Sequence, residues 1–297
     1  MSDVVTTPTI GHRPTSFDIA AARLLLEPWR LLTAPCFYGV DRVPRDRPCL
    51  FVGNHTLMGV LDVPLMLLGL YARTGIVVRP LGDHVHFRVP LWRDLLGRFG
   101  TVDGTRDNCE ALMRAGESIL VFPGGAREVF KHKHERYRLI WKNRLGFARL
   151  AIAHGYPIVP FAAVGAEDCY DVVFDSDDLR RTPLGPLVEW LVPRPDELPP
   201  LVNGIGLLPR PRRFYFRFER PIETAGRDGG PEACLEVRAE VARAIEHGIA
   251  ALRRSERRDP AGALAVRLAH ELARGRRSTS GSRAPRTPLL AAPRGGA

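Results

Sequence analysis

The sequence predicts an α/β fold: a three-layer sandwich with a largely parallel sheet flanked by helices, preceded by an N-terminal amphipathic helix. Three observations predict it. Short apolar runs of strand length alternate with stretches whose apolar residues recur at helical spacing, the pattern of successive βα units. The alternation is punctuated by glycine, as at Gly155 and at Pro123-Gly124-Gly125, where an element must stop. A chain of 297 residues, 45% hydrophobic and 26% charged, is long and apolar enough to bury one sizeable core.

Taken in order, residues 1–16 are rich in Thr and Pro and read as a flexible N-terminus. Residues 17–32 place Ile19, Leu24, Leu25, Leu26, Leu31 and Leu32 on helical spacing, with Pro28 expected to kink the helix. That helix either covers the core or lies in a membrane interface. A strand over 49–53, a helix over 63–71 and a strand over 75–79 follow. Next come a helix over 107–114 and a buried strand over 118–122 that ends in the Pro-Gly-Gly turn. A helix over 147–154 is stopped by Gly155, and a strand over 157–164 completes the series. Residues 177–211, rich in Pro and Leu, break the rhythm and read as a lid, a membrane-facing insertion or a Pro-rich surface loop. A late strand over 213–217 and an amphipathic helix over 231–254 close a domain of residues 17–257. Residues 258–297 read as a basic, mostly disordered tail with one helix near 264–273.

Charge is unevenly placed. Of a formal +10, residues 258–297 hold eight arginines against Asp259 and Glu271, a net of +6. Such an excess suits an anionic lipid surface or nucleic acid, and charge alone does not choose. Five scattered cysteines without a CxxC pair predict reduced thiols and a cytoplasmic setting. No signal-peptide pattern opens the chain, and no window approaches the ~20 apolar residues of a spanning helix. Work on lipids would therefore proceed from the membrane surface.

Two segments carry chemistry. Asn54-His55 closes a buried strand and is followed by Asp62; a histidine at the carboxyl end of a strand lies where α/β folds bind ligands. Its ordinary pKa, about 6.5, suits removal of a hydroxyl proton, and a nearby carboxylate can orient the ring. Buried histidines also satisfy core hydrogen bonds, and Asp62 before Val63-Pro64 fits a helix N-cap. The second segment is Phe122-Pro123-Gly124-Gly125-Ala126-Arg127-Glu128, where the glycines admit close backbone approach and Arg127 offers a planar donor fork. It fits either an anion cradle or a plain tight turn. His84 with His86, and His132 with His134, lack a spaced third ligand for zinc, so no metal is expected. GxSxG, GxxxxGK[ST] and GxGxxG patterns are absent, which argues against hydrolase-elbow, nucleoside-triphosphatase and dinucleotide sites.

Together these segments resemble the glycerolipid (lysophospholipid) acyltransferase superfamily, whose motifs are Asn-His, four residues and Asp, then Phe-Pro-Glu-Gly-Thr-Arg. Gly124-Gly125-Ala126-Arg127-Glu128 and the run from Lys142 through Arg144 to Arg149 are similar to the mono- and diacylglycerol acyltransferase branch. The resemblance spans residues 43–223. It implies His55 as general base, Asp62 as the residue orienting it, and Asn54, Gly124, Gly125, Arg127 and Arg144 as substrate contacts. It further implies acyl-CoA as co-substrate, no cofactor, and a mono- or diacylglycerol or lysophospholipid acceptor. A membrane surface is the expected partner, on its cytoplasmic face and peripherally bound, and nucleic acid is not expected. Two departures stand out: six residues rather than four separate His55 from Asp62, and Gly124 stands where the phospholipid branch has Glu. A seven-residue step on one helix spans about 10 Å, so a His55–Asp62 contact requires a chain break near Gly59. A lipid hydrolase at the same site and a non-catalytic lipid-binding protein are the alternatives.

Overall fold

Thr15 and Asp18 start the first helix by capping each other: the Asp18 amide donates to Thr15 Oγ1 at 3.2 Å, and the Thr15 amide donates to Asp18 Oδ2 at 2.9 Å. In the computed structural model, which describes residues 10–57, 59–183, 185–192, 198–267 and 269, that helix is α1 (Ser16–Thr33). It is followed by β1 (Cys36–Tyr38), β2 (Leu50–Gly53), α2 (Val63–Thr74), β3 (Val78–Gly82), α3 (His84–Phe87), α4 (Pro90–Arg98) and β4 (Val102–Asp103). Then come α5 (Arg106–Arg114), β5 (Ser118–Val121), α6 (Ala126–Val129), α7 (Gly146–His154) and β6 (Ile158–Val164). The chain continues through β7 (Asp171–Phe174), α8 (Ser176–Arg180), α9 (Gly185–Leu191), β8 (Leu201–Asn203), β9 (Tyr215–Phe218) and the long α10 (Pro231–Arg258).

Seven strands form one sheet in the order β1-β9-β6-β2-β5-β3-β4, parallel at every pairing except β6 with β9. The fold class is the one predicted. Side chains alternate across β2, so Leu50 and Val52 join the core under α5, α7 and α10, whereas Phe51 joins the core under α1 and α2. Both faces are covered, which is why the central strands read as continuous apolar runs. On α10, Cys234, Val237, Val241, Ile245, Ile249 and Leu252 repeat at three or four residues and form its buried stripe.

Three expectations change. Gly75, at φ 74, ends α2 by donating to Tyr71 O at 2.8 Å, so the helix runs to Thr74 and the next strand starts at Val78 rather than at residue 75. Residues 177–211 are not plain loop: α8 and α9 occupy its start, and β8 pairs antiparallel with β7. The packed chain also passes the expected boundary after residue 257. Arg267 is 2% exposed and donates to the carbonyls of Leu32, Pro211 and Gly262, so residues up to 267 belong to the folded unit. Of the helix predicted over 264–273, residues 264–267 are helical; residues 1–9 and 270–297 of the two predicted tails lie outside the described residues.

Because the buried Arg267 side chain ties together carbonyls from three segments, Arg267→Ala should cost about 3 kcal/mol, read as a lower urea midpoint with an unchanged slope.

Candidate active site

Parallel pairing of β2 with both β5 and β6 brings three strand ends to one edge of the sheet. Asn54 and His55 leave β2, the Phe122-Pro123-Gly124-Gly125 turn leaves β5, and Glu167 follows β6. The His55 ring stacks on Phe122 with centroids 4.0 Å apart and planes 20° from parallel. Its other side faces Gly59, whose φ of +62 turns the chain back; a β-carbon there would sit 2.5 Å from His55 Cε1. The ring is thus clasped between an aromatic face and a bare backbone. Burial, the Lys131 ammonium and His86 push its pKa down to about 3, so the imidazole is neutral at physiological pH.

The expected break at Gly59 is present, yet it does not bring Asp62 to His55. Thr56 Oγ1 donates instead to Asp62 Oδ1 at 2.8 Å, closing the loop on itself. His55 Nδ1 has no hydrogen-bond partner among the described residues. Asp62 sits at the N-cap position of α2 without a side-chain capping bond, and burial raises its pKa to about 6. Its place is that of a loop brace, and the His–Asp dyad read from the sequence is not formed. Asn54 is likewise engaged: its Nδ2 donates to Ala163 O at 3.0 Å, and its Oδ1 accepts from the Ala163 amide at 2.8 Å. The side chain fastens β2 to β6 past the end of their ladder, so the amide expected to contact substrate is a structural brace.

Gly124, Gly125 and Arg144 do meet. Arg144 Nη1 donates to Pro123 O at 2.9 Å and lies against Gly125. Arg127 points elsewhere: its buried guanidinium pairs with Glu135 at 2.6 Å and reaches Phe130 O at 3.4 Å, so its fork holds the chain after α6. Other cations of the 127–144 stretch are paired too, Lys133 with Asp178 and Arg136 with Asp171, each at 2.6 Å.

Sequence reasoning placed Lys131 in a cationic stretch, a solvated face or a site mouth, and missed its buried carboxylate partner. Lys131, 2% exposed, is ion-paired with Glu167, 0% exposed. Glu167 also accepts from the Tyr137 amide. Removing either partner would strand a buried charge. Glu128, buried beneath Gly124, was in the quoted motif but read as part of a turn. Among the described residues, the thiols and the His/Asp cluster are held in other roles. Burial pushes the Cys49, Cys109 and Cys169 thiols up to about 12, far from a reactive thiolate. His132, Asp175 and Asp177 bring ligand atoms within 4.8 Å of one another, but they are already engaged. His132 bonds Asp177 and Ser176, and Asp175 accepts from the Lys133, Asp177 and Asp178 amides. A cleft of about 960 Å³ lined by Gly11, Asp18, Phe87, Arg98 and Asn108 includes none of the candidate residues.

With this geometry in view, the likeness to known proteins falls on the same segment. Residues 34–164, which contain β2, His55 and the Pro-Gly-Gly turn, match the acyltransferase family model. Phytyl ester synthase 1, chloroplastic, of Arabidopsis thaliana is 32% identical over 262 residues, covering 79% of this chain and 36% of that protein. The human DGAT1/2-independent enzyme synthesizing storage lipids is 31% identical over 123 residues, 41% of this chain and 37% of that protein. The chain therefore spans little more than a third of the length of these curated relatives. The crystal structure of the 1-acyl-sn-glycerophosphate acyltransferase from Thermotoga maritima overlaps with a TM-score of 0.46 at 16% identity, over 77% of this chain and 81% of that one. Residues 34–164 of the chain thus carry the sequence pattern of the acyltransferase family.

Proposed function

We propose that the chain moves an acyl group from an acyl thioester, acyl-CoA in the first instance, to the hydroxyl of a glycerolipid. The observation that supports this most directly is the neutral His55 imidazole, held between Phe122 and Gly59 at the joined ends of β2 and β5. A ring nitrogen takes the proton from the acceptor hydroxyl as its oxygen attacks the thioester carbonyl. The new C–O bond forms, the C–S bond breaks, and the departing thiolate recovers the proton from the imidazolium. No covalent acyl-enzyme and no cofactor is required. Burial and Lys131 oppose a second positive charge on the ring; an oxyanion developing beside it would offset that opposition in the transition state. Gly124, Gly125 and Arg144 are the groups proposed to face the donor or acceptor carbonyl, while Asn54, Asp62 and Arg127 hold the walls.

The acceptor reaches the site from a lipid surface in this reading. No helix among the described residues is long and apolar enough to cross a membrane. Apolar side chains are nevertheless presented to solvent: Leu24 and Leu25 on α1, Trp190 on α9, Leu207 at 90% exposure, and Leu91 at 84% on α4. The α3–α4 face, with Val85, Val89, Leu91 and Leu95 exposed, is the one tied to the site, because His86 on α3 acts electrostatically on His55. Peripheral attachment on the cytoplasmic side, with the basic residues 270–297 adding attraction to anionic lipid, completes the proposal. A second acceptor follows from the phytyl ester synthase named among the relatives: a long-chain isoprenoid alcohol.

Three outcomes are expected. His55→Ala should lower transfer by ~10²- to 10⁴-fold with little change in melting temperature, checked by release of free coenzyme A and by calorimetry. A variant keeping a tenth of wild-type activity would remove His55 from the mechanism. Run on mono- and diacylglycerol, lysophospholipid and phytol, the same assay names the acceptor, and thioester loss without any acceptor would mark a hydrolase. Gly59→Ala, strained at φ +62 and pressed on His55 Cε1, should cost about 1–2 kcal/mol of stability but proportionally more activity, seen by comparing kcat with the urea midpoint. Leu91→Glu with Leu95→Glu should reduce sedimentation with phosphatidylglycerol vesicles while preserving turnover on detergent-dispersed substrate. Equal sedimentation would reject the α3–α4 face.

A further inference from the structure

The chain after β8 closes on itself. Ile205 and Leu208 exchange both main-chain hydrogen bonds, at 2.8 and 3.2 Å, so Gly206 and Leu207 form a two-residue hairpin tip with Gly206 at φ +61. The Gly206 carbonyl accepts from the Gly204 amide at 2.9 Å, and the Leu207 carbonyl accepts from the Tyr170 hydroxyl at 3.2 Å. All four carbonyls from Ile205 to Leu208 therefore have a donor within the protein. Yet the side chains of Ile205, Leu207 and Leu208 are exposed. Water would satisfy those carbonyls unaided; an apolar phase would not, since an unpaired carbonyl there is costly. Residues 199–209 hold no charged side chain, and the exposed Val173 on β7 and Leu201 on β8 extend the apolar surface.

Its place relative to His55 follows from the sheet. Strands β6, β2, β5 and β3 lie side by side and run the same way, so their carboxyl ends share one edge. His55 follows β2 by two residues, α3 begins two residues after β3, and β7 begins seven residues after β6. The hairpin is pinned where β6 leaves the sheet, because Arg210 N donates to Cys169 O at 3.0 Å and Tyr170 reaches Leu207. The α3–α4 face thus departs from the strand on one side of the β2–β5 pair, and the hairpin from the strand on the other. Both are fringed by positive charge. Residues 180–213 hold six arginines against three carboxylates, and residues 84–98 hold three against one. An uncharged apolar tip between arginines complements an anionic lipid surface.

We propose that the Ile205–Leu208 hairpin inserts into an anionic lipid bilayer as a second anchor, on the opposite flank of His55 from the α3–α4 face, so that the carboxyl edge of the sheet lies on the membrane. The proposal deepens the reading of a site supplied from a lipid surface and rests on it for its catalytic consequence; the insertion itself does not. A single anchor leaves the molecule free to roll about its contact, whereas two on either flank fix its tilt. The acceptor then passes from bilayer to imidazole without crossing water. A bilayer suits the tip better than a protein strand does, because a strand pairing with it would find every carbonyl from Ile205 to Leu208 already taken.

The test uses the full chain and vesicles of phosphatidylglycerol and phosphatidylcholine. A polarity-sensitive fluorophore is attached through Leu207→Cys, Leu91→Cys or Asp46→Cys in a Cys36→Ser background, since the other four cysteines are buried. Asp46 is exposed just before β2, at the amino edge of the sheet. On vesicles, the labels at 207 and 91 should shift to the blue and be quenched by doxyl groups in the acyl chains, and the label at 46 should do neither. Absence of quenching at 207 overturns the hairpin anchor, and absence at 91 or equal quenching at 46 overturns the two-sided orientation. Separately, Leu207→Glu with Leu208→Glu should weaken sedimentation with these vesicles at least about tenfold, from the lost burial of two leucines. Turnover on detergent-dispersed substrate and the urea midpoint should stay as in the wild type. Sedimentation equal to the wild type overturns the proposal. So does a double variant that binds vesicles normally but loses self-association, which would mark a second copy of the chain as the occupant. Should the wild type transfer acyl groups to no acceptor, the function fails, and quenching and sedimentation still decide the anchor.

Discussion

Everything at this site depends on β2 being paired in parallel with β5 on one side and β6 on the other. Parallel neighbours finish at the same edge, so whatever follows each strand is delivered to a common point. Register sets the detail: Val52 lies opposite Val121 and Gly53 opposite Phe161, so Phe122 follows β5 where Gly53 ends β2, within stacking reach of His55, and Asn54 comes within reach of Ala163. A slip of one residue would turn Phe51 away from the α1–α2 core and carry His55 off the Phe122 face. The apolar packing on both faces of the sheet therefore holds the geometry of the candidate site, to which it contributes no polar atom.

Below that edge the protein buries an unusual amount of charge: Lys131 with Glu167, then Glu128 and Asp62, around a neutral imidazole. Burial raises all three carboxyl groups toward protonation, and Lys131 restrains two of them while disfavouring an imidazolium. The resting site is poised against charge separation. A reaction that creates a cation and an anion at once would be matched to it, since each new charge finds the other rather than a fixed opposite already in place.

Much of this was legible in the sequence, for a reason that also explains what was not. Buried central strands are apolar runs bounded by turns, so β2, β5 and β6 and the helices α2, α5, α7 and α10 could be read locally. The edge strands β1 and β4, of three and two residues, carry too little pattern to register. Motif pointed to His55, Gly124, Gly125 and Arg144, and the structure brings Arg144 against Gly125 and stacks His55 on Phe122 beside that turn. The partners of Asn54, Asp62 and Arg127 were not, because Ala163, Thr56 and Glu135 are chosen by tertiary placement and loop closure, which spacing does not encode. Lys131 and Glu167 resemble ordinary surface charges, and only the direction in which β6 leaves the sheet makes them a buried pair.

The mutual exclusion of side chains at 124 and 128 bears on how such a site changes through descent. With Glu128 in place, any residue larger than glycine at 124 collides with it, since a β-carbon there would sit 2.3 Å from Glu128 Oε2 and 2.5 Å from Glu128 Cβ. A side chain cannot therefore be gained at 124 while Glu128 keeps its place. The order of substitutions is constrained: the occupied position must empty before the other fills, and the effect of either change has a sign set by the residue already at its counterpart.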